Sequence, residues 1–157
     1  MKRKSLYDLA HVCTLVIVPG AMAWIFGRPL IFPSLGPSAF ALVQDENENG
    51  ARRVIGGHLI GVVSGLVAYH WLARGLSLAA LSPAFSVDGL RVVVSGVVSI
   101  ALTMQGMSAA RANHAPACAT TLIVSLGVLP GLADGALMMV AVTGMFLLHR
   151  LIMMMRK

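Results

Sequence analysis

The short segment that decides the fold reads Phe32-Pro33-Ser34-Leu35-Gly36-Pro37-Ser38-Ala39-Phe40-Ala41-Leu42-Val43. A second segment, whose Pro116 lies 79 positions after Pro37, reads Asn113-His114-Ala115-Pro116-Ala117-Cys118-Ala119-Thr120-Thr121-Leu122-Ile123-Val124. Both are broken near their start by proline and small polar residues, and longer hydrophobic runs flank both. Interrupted segments in matching places of two halves indicate a substrate site in membrane transporters.

Composition identifies the class of protein. The chain is 57% hydrophobic and 11% charged, with a mean hydropathy of +0.83, which excludes an ordinary soluble domain. A bilayer core takes about 20 apolar residues per helix. Four runs come near that length, at residues 11–26, 54–72, 92–107 and 135–155. With the two short segments, they predict an all-α integral membrane bundle of four long helices and two short broken helices.

The placement of the basic residues predicts an orientation. If the N-terminus is cytoplasmic, six crossings leave these residues inside: Lys2, Arg3, Lys4, Arg52, Arg53, Arg111, Arg156 and Lys157. Only Arg28, Arg74 and Arg91 then lie outside, as the positive-inside bias favours. We therefore expect a protein of the bacterial inner (plasma) membrane with both termini in the cytoplasm. We expect its basic residues to contact membrane lipid, and we expect no nucleic-acid partner.

The two halves of the chain repeat weakly. At the offset of 79, Pro37 aligns with Pro116 and Gly65 with Gly144. Each half then reads long, short, long, and an odd number of crossings per half turns the second half upside down. This predicts one domain over 1–157, with inverted halves at 8–74 and 88–155 and a linker at 75–87. Chance similarity between apolar stretches is the alternative.

Three motifs in a fixed order carry a family resemblance. They are Ser34-Leu35-Gly36-Pro37-Ser38-Ala39, Arg52-Arg53-Val54-Ile55-Gly56-Gly57-His58 and His114-Ala115-Pro116-Ala117. Over residues 15–148 the chain resembles the HPP family of integral membrane proteins.

Two motifs depart from the family pattern. The family is named for the motif His-Pro-Pro, and in this chain the middle residue of that motif is Ala115. In the second motif, Ala51-Arg52-Arg53 replaces the usual Pro-Arg-Asn. The resemblance implies a small membrane protein that acts in transport. Nitrite transport is described for plastid and cyanobacterial relatives, so nitrite is one candidate substrate here.

The residues themselves also point to an anion. A helix that begins inside the membrane presents its first N–H groups and the positive end of its dipole, which favour an anion. Pro33, Pro37 and Pro116 suit an opening turn, and in an inverted repeat the N-termini of the short helices can face each other. The candidate substrate-binding residues are Ser34, Gly36, Pro37, Ser38, His58, Asn113, His114, Ala115, Pro116 and Thr120. Alternatively, the prolines only kink two ordinary helices whose serines bond to their own backbones.

The histidines differ in what they indicate. His114 opens the second broken segment, and an ionisable group inside a membrane indicates a functional site. It could donate to an anion or gate by protonation, or it could hold the segment's entry as a neutral imidazole. His58 follows Gly56-Gly57 and either faces the same cavity or packs between helices. Near helix ends, His11, His70 and His149 are expected at the membrane interface.

One glycine pattern and several absences complete the picture. Gly57, Gly61 and Gly65 form a smooth groove that either seats the broken segment or supports self-association into a homo-oligomer. The acidic residues lie near helix ends or in loops, and His114 with Cys118 lacks a third metal ligand. We therefore expect no enzyme activity, no metal and no cofactor. Two functions stay open: a transporter or channel for a small inorganic anion, and a noncatalytic membrane scaffold or subunit of a larger complex.

Overall fold

The computed structural model describes residues 2–44, 50–80 and 83–156. The described residues form six α-helices and no strand. The helices are α1 (Lys2–Ile25), α2 (Ile31–Gln44), α3 (Ala51–Ala68), α4 (Val87–Ala110), α5 (Ala117–Ser125) and α6 (Leu132–Met155). One π-helical turn, Tyr69–Ala73, extends α3.

Four of the helices are long and apolar enough to cross a membrane. These spans are Leu6–Ile25, Ala51–Ala73, Val87–Ala110 and Leu132–Met155. The predicted all-α membrane bundle of four long and two short helices is therefore confirmed. Each of the long helices begins upstream of its predicted apolar run.

The start of α4 shows how a cap extends a span. The Ser86 hydroxyl accepts the N–H of Gly89 at 3.1 Å, which satisfies one of the amide groups that the first turn leaves without a partner. Asp88 lies in the same turn, where a negative charge is favourable. The helix therefore begins at Val87, upstream of the predicted run.

The first and last helices run antiparallel and bring both ends of the chain together. The Arg156 guanidinium lies 4.5 Å from the centre of the Tyr7 ring. At the other end of the same two helices, Arg28 Nε donates to Asp134 Oδ1 at 2.7 Å. We call the end with Tyr7 and Arg156 the terminal end and the other the opposite end. Three of the acidic residues, Asp45, Glu46 and Glu48, lie outside the described residues.

The glycine groove of α3 is filled by α5 of the same chain. A Cβ on Gly57 would lie 2.9 Å from the Cβ of His114, and one on Gly61 would lie 2.7 Å from Thr121 Oγ1. On Gly65 it would lie 2.8 Å from the Cβ of Val124. The order of these contacts shows that α3 and α5 run in the same direction. Of the two predicted uses of the groove, the structure therefore shows the seat for the broken segment.

Packing between helices follows a pattern that a repeat requires. The α1–α2 pair has a counterpart in α4–α5, the α3–α5 pair in α6–α2, and the α3–α4 pair in α6–α1. The pairs α2–α5 and α3–α6 map onto themselves. If the helices of one half are exchanged with those of the other, every one of these pairs therefore becomes a pair that is also in contact. The inverted repeat and its division at 75–87 stay predictions.

Candidate functional site

Four polar side chains from three parts of the fold form one hydrogen-bonded chain. His58 of α3 lies at its centre: Nδ1 is 2.8 Å from Oγ1 of Thr120 on α5, and Nε2 is 2.7 Å from Oγ of Ser38 on α2. The same Ser38 oxygen lies 3.2 Å from Nε2 of His114. The two imidazole centres are 5.4 Å apart. We call these four residues the polar chain.

The polar chain is shielded from the surroundings of the protein. Ser38, His58 and Thr120 have no exposed surface, and His114 is 3% exposed. Within a membrane-spanning bundle, a buried polar group without a hydrogen bond costs several kcal/mol. Each of these side chains avoids that cost by bonding to another. Their convergence needs three segments of the sequence and is therefore a property of the tertiary fold.

The backbone around His114 explains its position. Helix α4 ends at Ala110, and the left-handed conformation of the next residue, Arg111 (φ 50°, ψ 40°), turns the chain toward α3. The Ala112 carbonyl would be 3.1 Å from a Cβ on Gly57, so only a bare glycine surface admits the segment this closely. Pro116 then caps α5. The glycine next to His58 thus lets the two imidazoles meet.

A strip of buried hydroxyls continues from the polar chain along the α4–α5 interface. Thr103 Oγ1 and Thr121 Oγ1 are 3.0 Å apart, and Ser95 Oγ donates to the Ser125 carbonyl at 2.8 Å. Sequence reasoning missed these residues. A signal was present, because Ser95, Ser99 and Thr103 are spaced four apart and share one helix face. Such hydroxyls join neighbouring helices inside a membrane.

Six of the ten predicted site residues are not members of the polar chain. Ser34 is buried, but its hydroxyl donates to the Ile31 carbonyl of its own helix at 2.8 Å. A bond between a serine and its own backbone is what the alternative predicted, in which the prolines only kink two ordinary helices. Of the remaining five, Pro37, Asn113 and Ala115 are exposed, and Gly36 and Pro116 are half-buried.

The predicted facing N-termini are wrong. Helix α2 begins at Ile31, and Pro37 lies inside it. A first-turn position suits Pro33, so the helix starts upstream and passes through the second proline. Because α2 and α5 run in opposite directions, their N-termini lie toward opposite ends of the bundle.

The first amides of α5 are not available to an anion either. The N–H of Ala117 donates to the His114 carbonyl at 3.0 Å, and the N–H of Cys118 to the Ala115 carbonyl at 3.1 Å. The tight turn into the helix therefore satisfies the groups that were expected to bind the ligand. Any ligand at this place would be bound by side chains.

Two of the three histidines near helix ends are buried between helices. His11 and His149 are each 4% exposed, and their rings stack with centres 5.1 Å apart and planes 8° from parallel. The antiparallel pairing of α1 and α6 brings the two rings to the same level. This proximity cannot be inferred from the sequence of either helix alone. His70 is exposed, and its Nδ1 lies 2.9 Å from the Leu66 carbonyl. Its predicted place near a helix end is confirmed.

Among the residues that the structure describes, no three His, Cys, Asp or Glu side chains are grouped so as to hold a metal ion. The polar chain itself consists of two hydroxyl and two imidazole side chains. Groups of this kind donate and accept hydrogen bonds, and imidazole can also take up a proton.

Four membrane spans, two short helices and a buried polar chain between them define a polytopic α-helical membrane protein. The chain belongs to the HPP family, because the family described as "HPP, transmembrane region" matches residues 3–156. The resemblance seen in the three motifs is thereby confirmed. No curated protein matches the chain, and neither does any solved structure.

Proposed function

We propose that this protein carries a small monovalent anion across the membrane, with nitrite as the first candidate. The observation that carries the proposal is the position of Ser38 Oγ, which lies 2.7 Å from one imidazole Nε2 and 3.2 Å from another. Two imidazole nitrogens, each of which can donate a hydrogen bond when it carries a proton, converge there on a single oxygen. Nitrite is the first candidate because plastid and cyanobacterial relatives are described as nitrite transporters.

An anion would bind by taking the place of the Ser38 hydroxyl. Its oxygen would then accept hydrogen bonds from His58 and His114, while Ser38 rotates to become a further donor. Hydrogen bonds to a charged oxygen are shorter and stronger than those between neutral groups. The close packing of these buried side chains favours an anion of few atoms over a larger one.

In this proposal the ion reaches the site from the terminal end. His114 is buried, but its neighbours Asn113 and Ala115 are exposed. A small movement of residues 112–116 would therefore open the polar chain to water at this end. The structure corresponds to a closed state in this scheme, and transport requires the two ends to open in turn.

A noncatalytic scaffold is the second candidate, and the same burial favours it. Side chains that are fully bonded to one another also hold helices together in a membrane. The two functions differ in whether the polar chain ever exchanges its internal bonds for bonds to an ion. Flux measurements distinguish them.

Uptake into proteoliposomes tests the proposed function. Purified protein is reconstituted, and entry of nitrite, nitrate, formate and chloride is compared with entry into protein-free vesicles. We expect saturable uptake of nitrite, and of other anions only where they are similarly small. Uptake of all four at the protein-free rate would leave the scaffold as the better account.

The proposal includes an orientation in the bacterial inner membrane with the terminal end cytoplasmic, which cysteine labelling tests. In a background with Cys13→Ala and Cys118→Ala, we would introduce Asn113→Cys at the terminal end and Ala84→Cys at the opposite end; both positions are exposed. A membrane-impermeant maleimide applied outside is expected to label only Ala84→Cys. Labelling of Asn113→Cys alone would reverse the orientation.

A further inference from the structure

We propose that the polar chain takes up one proton with each anion, so that the two cross together without net charge. The inference rests on the proposed function and goes beyond it by naming the coupled ion. It is carried by the continuous line of hydrogen bonds from Thr120 through His58 and Ser38 to His114.

The polar chain can be hydrogen-bonded in either of two directions. In one, His58 Nδ1–H donates to Thr120, Ser38 donates to His58 Nε2, and His114 Nε2–H donates to Ser38. In the other, Thr120 donates to His58 Nδ1, His58 Nε2–H donates to Ser38, and Ser38 donates to His114 Nε2. The observed distances of 2.8, 2.7 and 3.2 Å suit both directions. A proton added at one end can therefore be passed along the chain by reversing its bonds.

The charged groups nearest to the polar chain along the sequence are Arg53, five residues before His58, and Arg111, three residues before His114. Helix α2 has no ionisable residue, and α5 has only the half-buried Cys118. In each of the remaining helices, ionisable residues mark the limits of a stretch that is poor in such groups. These residues are Asp8, His11, Cys13, Arg52, Arg53, Tyr69, Arg91, Arg111, Asp134 and His149. Between those bounds, His58 is the one ionisable residue of the long helices, all of which the structure describes there. The two imidazoles are thus the groups in the polar chain that can offer a positive charge to an anion.

Burial makes the proton and the anion depend on each other. An isolated anion among neutral groups would lose its hydration without gaining a counter-charge, and an isolated imidazolium would do the same. Bound together, they form a neutral pair with direct hydrogen bonds. Because such coupling is reciprocal, each ion raises the affinity of the site for the other.

The transport cycle balances in protons and charge. On loading, an imidazole nitrogen forms an N–H bond with a proton taken from water on one side, and the anion binds beside it. On release, the same N–H bond breaks, and the proton and the anion leave to water on the other side. One proton and one negative charge cross, so the net charge moved is zero.

Proton and anion entry can be measured together in proteoliposomes of the wild-type protein. The vesicles contain a trapped pH dye, and valinomycin with potassium sets the membrane potential. An inward nitrite gradient is expected to acidify the lumen in step with nitrite uptake, at a rate that does not change with the potential. Protein-free vesicles correct for nitrous acid that crosses lipid unaided.

Other outcomes separate the coupling from the transport itself. Nitrite uptake that leaves the luminal pH at the protein-free level and changes with the potential would overturn the coupling and leave the proposed function standing. Uptake no faster than in protein-free vesicles would overturn both.

A matched pair of variants gives a second test. Glutamine at position 58 can still form hydrogen bonds but cannot become a cation, whereas His70 is exposed and lies outside the polar chain. With proton binding limiting, uptake by the wild type and by His70→Gln is expected to rise about tenfold from pH 7.5 to pH 6.5. In His58→Gln this rise should be lost. A rise of the same size in His58→Gln would contradict a role for that imidazole.

Discussion

Replacing Gly61 by alanine is expected to lower the free energy of unfolding by about 1–3 kcal/mol, the usual cost of overpacking. A Cβ at this position would lie 2.7 Å from Thr121 Oγ1 and 3.0 Å from the Ala117 carbonyl. The second of these atoms belongs to the backbone, so relief requires α5 to move away from α3. Since α5 bears Thr120, the same movement would separate Thr120 from His58.

Gly56→Ala provides the matched control within the same helix. A Cβ on Gly56 would lie 3.5 Å from the Cβ of Ala112, an ordinary contact. Without a clash, this change should be neutral or stabilise the helix by about 0.5–1 kcal/mol. Unfolding by sodium dodecyl sulfate in mixed micelles measures both variants. Equal stability of the two would mean that the α3–α5 contact is looser than described.

The number and type of the helices could be predicted because membrane insertion depends on the length and apolarity of a segment. The ends of the helices could not. Helix α4 begins upstream of its apolar run because of the Ser86 cap. The π-helical turn Tyr69–Ala73 cannot be recognised from the hydropathy of its residues. These features depend on local hydrogen bonds, which hydropathy does not register.

The members of the polar chain were among the predicted site residues, but their arrangement was not predicted. Prolines near Ser38 and His114 suggested two helix starts, whereas Pro37 lies within α2. A proline in the sequence marks a missing backbone N–H. The sequence alone does not show how far upstream of that proline the helix begins. His58 depends on tertiary packing even more, because its contacts come from α2 and α5.

Buried pairs between distant helices were beyond sequence reasoning altogether. His11 and His149 lie near the chain ends, and their positions in the sequence did not show that their rings stack on each other. Their burial follows from the register of α1 against α6. No periodicity within either helix reports that register.

Ser38→Ala is expected to reduce nitrite uptake at limiting nitrite roughly tenfold to hundredfold. The change removes the one hydroxyl that joins His58 to His114. A lost hydrogen bond to a charged group costs about 1.5–3 kcal/mol, and about 1.4 kcal/mol corresponds to a factor of ten in affinity. The loss should appear as weaker apparent affinity, because the hydroxyl is a partner of the bound ion.

Ser34→Ala is the control that isolates this effect. Both serines are on α2 and have no exposed surface, but the Ser34 hydroxyl bonds only to its own helix at the Ile31 carbonyl. Each variant loses one buried hydroxyl of the same size. Any general effect of that loss on folding or insertion should therefore be similar in the two variants.

The initial rate of nitrite uptake by wild type, Ser38→Ala and Ser34→Ala, at limiting nitrite and equal protein in the vesicles, tests most directly whether the polar chain binds the anion. We predict that Ser34→Ala keeps a rate within about twofold of the wild type, while Ser38→Ala falls at least about tenfold below it. Wild-type rates for Ser38→Ala, or equal losses in both variants, would contradict an anion site at the polar chain.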